Sequence, residues 1–558
     1  MSSLRAALDP KSVAIIGASE NPNKVGGRPV HYLQKFGFRG KIYPINPSRT
    51  EIQGKRCYKS LADLPEAPEM VIVAVAGDNA IGAVEDCAKA GVKIAVVMAS
   101  GFGEVDAIAG KAKERRMVEI AHRHGMRIVG PNSQGVANFG TGAIASFSTM
   151  FMEFERAEGH VAMLSQSGAL STVPVGFLNP RGIGVRHSHA TGNDADITVG
   201  ELAIAVAEDP EVKLMLLYLE SIPDKKYLEE LAAVALDRDL PIIALKSGRS
   251  EAGRAAAQSH TGALANEDRV VDAFFEHHGI WRAPDMRGLV EATELYLKGW
   301  KPQGRRLVAI SNSGAVCVMT ADAATPVGMP MATLAAETDA KLKSILPSFA
   351  TTTNPIDLTA ALLSNSRLFG DILPVIAEDP AADAFVIGVP VAGPGYDVPA
   401  FARDSAAFAA QTGKPLVVAA TQPSVAREFQ AQGVAVFPTE VEAVAALNQF
   451  IAHRELMARV KARQRAASTA LVTADTTSML NEADSLDLLA ARGIPVVPYR
   501  LCRSRADAIA AFEAIGGPVV VKGCSADIAH KSELGLVKIG VRTREDAGEL
   551  YAEMEAII

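Results

Sequence analysis

The amino-acid sequence predicts an α/β protein built from several parallel β-sheets with helices on both faces. Three observations lead there. Short apolar segments alternate with alanine-rich stretches of helical period, the pattern of strand–helix–strand units. Most of the apolar segments run into loops of small and polar residues, and in open parallel sheets the loops at the carboxyl ends of strands bind ligands. The middle of the chain also repeats itself, in order.

The elements follow in sequence. Residues 13–16 form the first expected strand and lead into Gly17-Ala18-Ser19. Residues 41–44 lead to Asn46-Pro47, residues 70–75 to Ala76-Gly77, and residues 94–98 to Ser100-Gly101. Arg127–Val129 leads into Gly130-Pro131-Asn132-Ser133. These segments predict a Rossmann-like domain over residues 1–145. Residues 162–170 read AMLSQSGAL and residues 308–316 read VAISNSGAV. Glu208-Asp209-Pro210 precedes a strand at Leu214–Leu219, and Glu378-Asp379-Pro380 precedes one at 384–389. Further strands are expected at 241–245 and 415–419. Two similar, duplicated units over 146–300 and 301–455 are expected. Residues 454–465 are basic and helix-forming, and a linker is expected over 456–478. The last unit, 479–558, is expected to hold a helix near 482–492, a strand at 495–499, a helix at 505–515 and a strand at 518–522.

Composition narrows the function classes. The 558 residues include 56 Lys+Arg and 63 Asp+Glu, a net charge of −7, which gives no reason to expect nucleic-acid binding. At 48% hydrophobic residues the chain has enough apolar material for the three or four domains its length suggests. No apolar run approaches a membrane span, and Met1-Ser-Ser-Leu-Arg starts no signal-peptide core, so a cytoplasmic protein is expected. The 5 cysteines are scattered without a CxxC pair, which argues against a disulfide framework or structural zinc.

Gly17-Ala18-Ser19 is not GxGxxG, and no Gly-Lys pair is followed by Ser or Thr, so neither a dinucleotide nor a P-loop site is signalled. Lys24, Gly26 and Gly27 are placed to hold a phosphorylated ligand or to form a plain turn. Ser165-Gln166-Ser167-Gly168 and Ser311-Asn312-Ser313-Gly314 each lie between an apolar strand and an expected helix, where exposed N–H groups bind anions. Serine capping explains one such loop, but its duplication favours a paired anion site. His260 lies among small residues, accessible as a nucleophile toward a phosphoryl group, and Glu220 ends a strand where a carboxylate could fix the imidazole tautomer. His530 lies in a polar loop after Lys522, whose ammonium ends a strand and could meet a phosphate.

Taken together these segments resemble the ADP-forming acyl-CoA synthetases, acid–CoA ligases related to succinyl-CoA synthetase. Gly17-Ala18-Ser19, Tyr43-Pro44-Ile45-Asn46-Pro47 and Gly130-Pro131-Asn132 resemble the family's CoA-binding domain. Ser165–Gly168 and Gln258–Ala263 resemble its first flavodoxin-like CoA-ligase domain, and Ser311–Gly314 with Asn354-Pro355-Ile356-Asp357 its second. Lys522 and Asp527–Ser532 resemble the start of an ATP-grasp domain. The resemblance implies CoA contacts at Gly17, Ala18, Ser19, Lys24, Asn46, Pro47, Ala76, Ser100, Gly101 and Asn132. It implies a phosphohistidine at His260 oriented by Glu220, with phosphate bound by Ser165, Gln166, Ser167, Gly168, Asn312, Ser313 and Gly314. Lys522 would meet ATP or ADP, and His530 would ferry phosphate. The implied reaction joins an organic acid to CoA at the expense of ATP, through an acyl phosphate.

Ser133 stands where many relatives have cysteine, and Leu536 where a second glycine is common. The ATP-grasp resemblance covers about 80 residues of a fold expected to exceed 200, so the acidic Mg2+ ligands are expected outside this chain. A non-catalytic CoA sensor on the same scaffold is the alternative, but the presence of His260 favours the enzyme. An NAD-linked oxidoreductase is the third reading, and the absent GxGxxG argues against it. Phe147, Met150, Phe151, Met152 and Phe154 form either a core or an acyl pocket suited to an aromatic, feruloyl-type acid; otherwise a short acid such as acetate is expected. Sites joining subunits are common in the family, which allows a homo-oligomer.

Overall fold

A computed structural model describes residues 4–77, 79–155, 159–222, 224–261, 267–468, 480–528 and 531–558. The chain divides into two compact units, Met1–Arg465 and Ala466–Ile558.

The first unit holds three main sheets. The first is wholly parallel, ordered Lys41–Ile45, Ser12–Ile16, Met70–Val73, Ile94–Val97, Arg127–Val129. The second has a parallel part ordered Val185–Ala190, Val161–Ser165, Leu214–Leu219, Ile242–Lys246, Trp281–Arg282. The third runs Ile356–Asp357, Leu307–Ser311, Ala384–Gly388, Leu416–Ala419, Ala435–Phe437. In each, the parallel strand first in the chain sits between the second and the third. The switch point, where ligands bind in such sheets, therefore falls at the end of that first strand. The strands are buried runs of Val, Ile, Leu, Met and Ala, as expected of sheets covered on both faces. The SQSG and SNSG loops follow the equivalent strand of the second and third sheets, as the repeat predicts.

Three expectations meet a different outcome, and one open alternative is decided. Strands Gly135–Asn138 and Ala143–Ser146 lie within the segment assigned to the first domain, yet they form a hairpin that extends the second sheet, antiparallel to Val185–Ala190. The basic stretch 454–465 is part of one helix, Glu440–Ser468, whose Leu456, Met457 and Val460 pack on Leu236. Arg454 pairs with Asp239 and Lys461 donates to the Leu236 carbonyl, so this part of the helix binds the second sheet's layer and is no free linker. Phe151 and Phe154 are buried in a core cluster with Tyr32, Phe36 and Phe139, and Phe139 meets Phe151 edge-on at 5.2 Å. These two rings therefore line no acyl pocket.

In the second unit the expected strand at 495–499 is irregular. Pro495 and Pro498 bracket it, and neither has an N–H to donate to a ladder. The helices Glu482–Ala491, Arg505–Ile515 and Arg544–Glu555 accompany one antiparallel pair, Val519–Lys522 with Val537–Val541. Among the described residues no helix is long and apolar enough to cross a membrane.

Candidate active site

The first sheet gathers the predicted CoA contacts at one end, because each sits just beyond the carboxyl end of a parallel strand. The Gly17 and Ala18 N–H groups donate to the Ile45 carbonyl, and the Asn46 amide donates to the Ala18 carbonyl at 2.9 Å. The loop then folds on itself without space for side chains. A Cβ on Gly26 would lie 2.0 Å from the Gly17 carbonyl oxygen, and one on Gly27 1.9 Å from that of Asn21. Close backbone approach is thus achieved without GxGxxG. Gln53, which the sequence reading missed, braces the loop by donating to the Ser19 and Gly27 carbonyls at 2.9 Å each. Lys24, Pro47, Ala76, Ser100 and Gly101 are exposed around this rim. Ser133 is fully buried. It donates to the Ala190 carbonyl at 2.5 Å and accepts the Gly135 N–H, so it joins the first and second sheets structurally.

A second loop ties this rim to the next sheet. Asn193 and Ala195 donate their N–H groups to the Pro131 and Gly130 carbonyls. The Asn132 amide reaches Asn193 at 3.3 Å, and the Asn193 amide reaches Glu104 and Glu114 at 2.6 and 2.7 Å. Asp194, next in the chain, points to the predicted phosphate loop and accepts the Gln166 amide at 2.8 Å.

At the second sheet's switch point Gln166 is the organising side chain. Its Oε1 accepts the N–H of Glu220 at 2.6 Å and of Ser221 at 3.0 Å, and its Nε2 donates to the Ser221 carbonyl as well as to Asp194. The backbone of Glu220 is thereby locked beside the SQSG loop. Ser165 Oγ accepts the Ser167 N–H at 3.0 Å. Asp194 has its Oδ1 buried without a hydrogen-bond partner among the described residues, and burial pushes its carboxyl up to about 6. The loop enters a 3-10 turn, Ala169–Ser171, and the expected helix follows it as the short Val173–Leu178.

The third sheet repeats this construction. Ser311 Oγ accepts the Ser313 N–H at 3.1 Å, and the Asn312 amide donates to the Val391 carbonyl at 2.9 Å, as Gln166 does to that of Ser221. Gly314 opens an eleven-residue helix, Gly314–Ala324, whose Ser313 cap makes no side-chain hydrogen bond, so its first-turn N–H groups are not claimed by that side chain. Asn354 is spent on the backbone of Leu307, Ala309 and Ala332.

His260 belongs to helix Glu251–Thr261, but its side chain lies outside the described residues, as does the whole of His530. Lys522 donates to Glu482 at 2.6 Å, and Lys531 reaches the same carboxylate at 2.8 Å, holding Glu482 below the usual glutamate range. Leu536 is fully buried, and its carbonyl accepts the Gly523 N–H.

Comparison with known proteins agrees with this layout. Residues 11–138 match a CoA binding domain, 158–296 a succinyl-CoA ligase-like flavodoxin domain, and 471–558 an ATP-grasp domain. The chain is 32% identical over 547 residues to an ADP-forming acetate–CoA ligase of Archaeoglobus fulgidus, covering 95% of this chain and 77% of that protein. It is 29% identical over 560 residues to a trans-feruloyl-CoA synthase from an unknown prokaryote, covering 98% and 78%. A solved acetyl-coenzyme A synthetase of Candidatus Korarchaeum cryptofilum, in complex with phosphate and ADP, superimposes with a TM-score of 0.75 at 30% identity, covering 82% of this chain and 98% of that one.

Proposed function

The chain belongs to the ADP-forming acid–CoA ligases, and we propose that it activates a short-chain carboxylic acid through a phosphohistidine at His260. In the synthetic direction His260 takes the γ-phosphoryl of ATP. A carboxylate oxygen of the acid then attacks phosphorus, the P–N bond breaks, and an acyl phosphate forms. The CoA thiol attacks the acyl carbonyl and phosphate leaves. Covalent catalysis of this kind divides one hard displacement into easier ones. Glu220 orients the imidazole and stabilises its charged form. The SQSG and SNSG loops receive the phosphoryl oxygens, and the first-sheet rim from Gly17 to Asn132 holds CoA. Lys522 contacts the nucleotide phosphates and His530 relays phosphate. The CoA-binding part ends near Asn132, since the following hairpin belongs to the second sheet. Among the described residues no three His, Cys, Asp or Glu side chains group to hold a metal ion.

The observation that most supports this reading is the matched construction of Gln166 and Asn312 at two equivalent switch points, one of them locking the backbone of Glu220. The short acid is supported by the identity shared with the acetate–CoA ligase and by Phe151 and Phe154 being packed in the core. A panel of acyl-CoA thioesters tests it. With phosphate present, the reverse acyl transfer releases CoA, which a thiol reagent reads. Acetyl-CoA is expected to be cleaved at least tenfold faster than feruloyl-CoA; the opposite ranking rejects the short acid.

A further inference from the structure

Lys246 is a buried cation with no assigned task. It ends strand Ile242–Lys246, on the face shared with the core residues Ile242 and Ala244, and is 3% exposed. An ammonium has three donors and no acceptor. Its one described hydrogen bond runs to the Ser247 carbonyl at 2.7 Å, and among the described residues it forms no ion pair. Asp268 and Asp272 both bind Arg282 on the adjacent strand. Arg282 Nε is itself buried without a partner among the described residues. Burial, and then the Arg282 charge, hold the Lys246 ammonium below the usual lysine range. The Asp268 and Glu220 charges act in the opposite sense, but burial outweighs them, so keeping this ammonium out of water costs stability, and such groups cluster at functional sites.

The position indicates the use. Lys246 lies opposite Leu219 in the sheet, and the Ser247 N–H bonds the Leu219 carbonyl at 3.0 Å, so Lys246 ends beside the turn that begins with Glu220. The chain then turns at Gly248, with φ +76°, into helix Glu251–Thr261, which carries His260. We propose that Lys246 is a phosphoryl-binding residue of the His260 half-reaction, its ammonium pairing with the anionic oxygens as the P–O bond of the acyl phosphate breaks and the P–N bond to His260 forms. Lys246 keeps its proton throughout, and the departing group is the carboxylate of the acid. This role rests on the phosphohistidine reading above.

The test uses the full chain with K246M, K246Q and K246R. Inorganic phosphate is the binding probe, read by calorimetry. Acetyl-CoA with labelled phosphate is the chemical probe, read as base-stable label on the protein. Both neutral variants are expected to bind phosphate at least tenfold more weakly and to label at least tenfold more slowly. CoA affinity should stay within twofold, and the unfolding temperature should be unchanged or higher because a buried charge is gone. K246R should recover part of the phosphate affinity. If folded K246Q or K246M binds phosphate and labels within twofold of wild type, the role is wrong. It is equally wrong if CoA binding falls in parallel, or if the neutral variants unfold while K246R labels no faster than they do. Should the wild type bind phosphate in a Lys246-dependent way yet take no label, the anion site stands and the phosphohistidine reading fails.

Discussion

Gln166 is held by four hydrogen bonds whose polarity is dictated by one neighbour. An ionised carboxylate only accepts, so Asp194 draws Nε2 toward itself and leaves Oε1 to receive the Glu220 and Ser221 N–H groups. Asp194 sits with φ +50°, a conformation of the left-handed region that aspartate tolerates better than most residues. Its carboxyl is raised from 3.8 to about 6, first by burial, with the Glu220 charge adding to it. A raised acid stabilises the fold fully below its unfolded value, and that stability is lost as pH rises through the folded value. The shift of about two units corresponds to roughly 3 kcal/mol at most. Asp194→Asn keeps an acceptor for Gln166 and removes the titration. Relative to wild type it is therefore expected to gain stability between pH 5 and pH 7.5, by about 1–2 kcal/mol in urea unfolding. A difference that does not vary across that interval would show that Asp194 is not the group being titrated. Neither Asp194 nor Gln53 was legible in the sequence. Each acts on a partner about 30 residues away, and nothing in its local pattern announces the contact.

At the scale of elements, what was readable was whatever depends on local sequence. Runs such as Leu214–Leu219 must be buried strands, and the small residues after them must be loops, so the predicted CoA and phosphate residues fell at strand ends as expected. What needs a partner far along the chain was not readable. The hairpin Gly135–Asn138/Ala143–Ser146 looks the same from sequence whichever sheet it joins, and its place is decided by pairing with Val185–Ala190. Phe151 and Phe154, open from sequence between core and pocket, pack with Tyr32, Phe36 and Phe139, residues far from them in the chain. The glycine loop of the first sheet offers a prediction of its own. In Gly26→Ala the new Cβ must displace backbone that lies 2.0 Å away, which re-aims Gly17-Ala18-Ser19. CoA affinity is expected to fall at least tenfold, with inorganic phosphate binding preserved, in calorimetric titrations of each ligand. Unaltered CoA binding would remove this loop from the CoA site.

For the molecule as a whole, the parallel strands of three sheets share one order, and ligands of such sheets bind at the switch point. The first differs in its glycine loop and the other two in their serine loops, and that division suits a nucleotide-bearing thiol on one side and a phosphoryl group on the other. Covalent phosphate at His260 is the central step of the proposed mechanism, and acetyl-CoA with labelled phosphate reaches that state without using ATP. The decisive measurement is this labelling on the wild-type chain and on His260→Ala. Acid-labile, base-stable label in the wild type and none in the variant is the predicted result. Equal label in both, or none in a wild type that cleaves acetyl-CoA in the presence of phosphate, would contradict the mechanism.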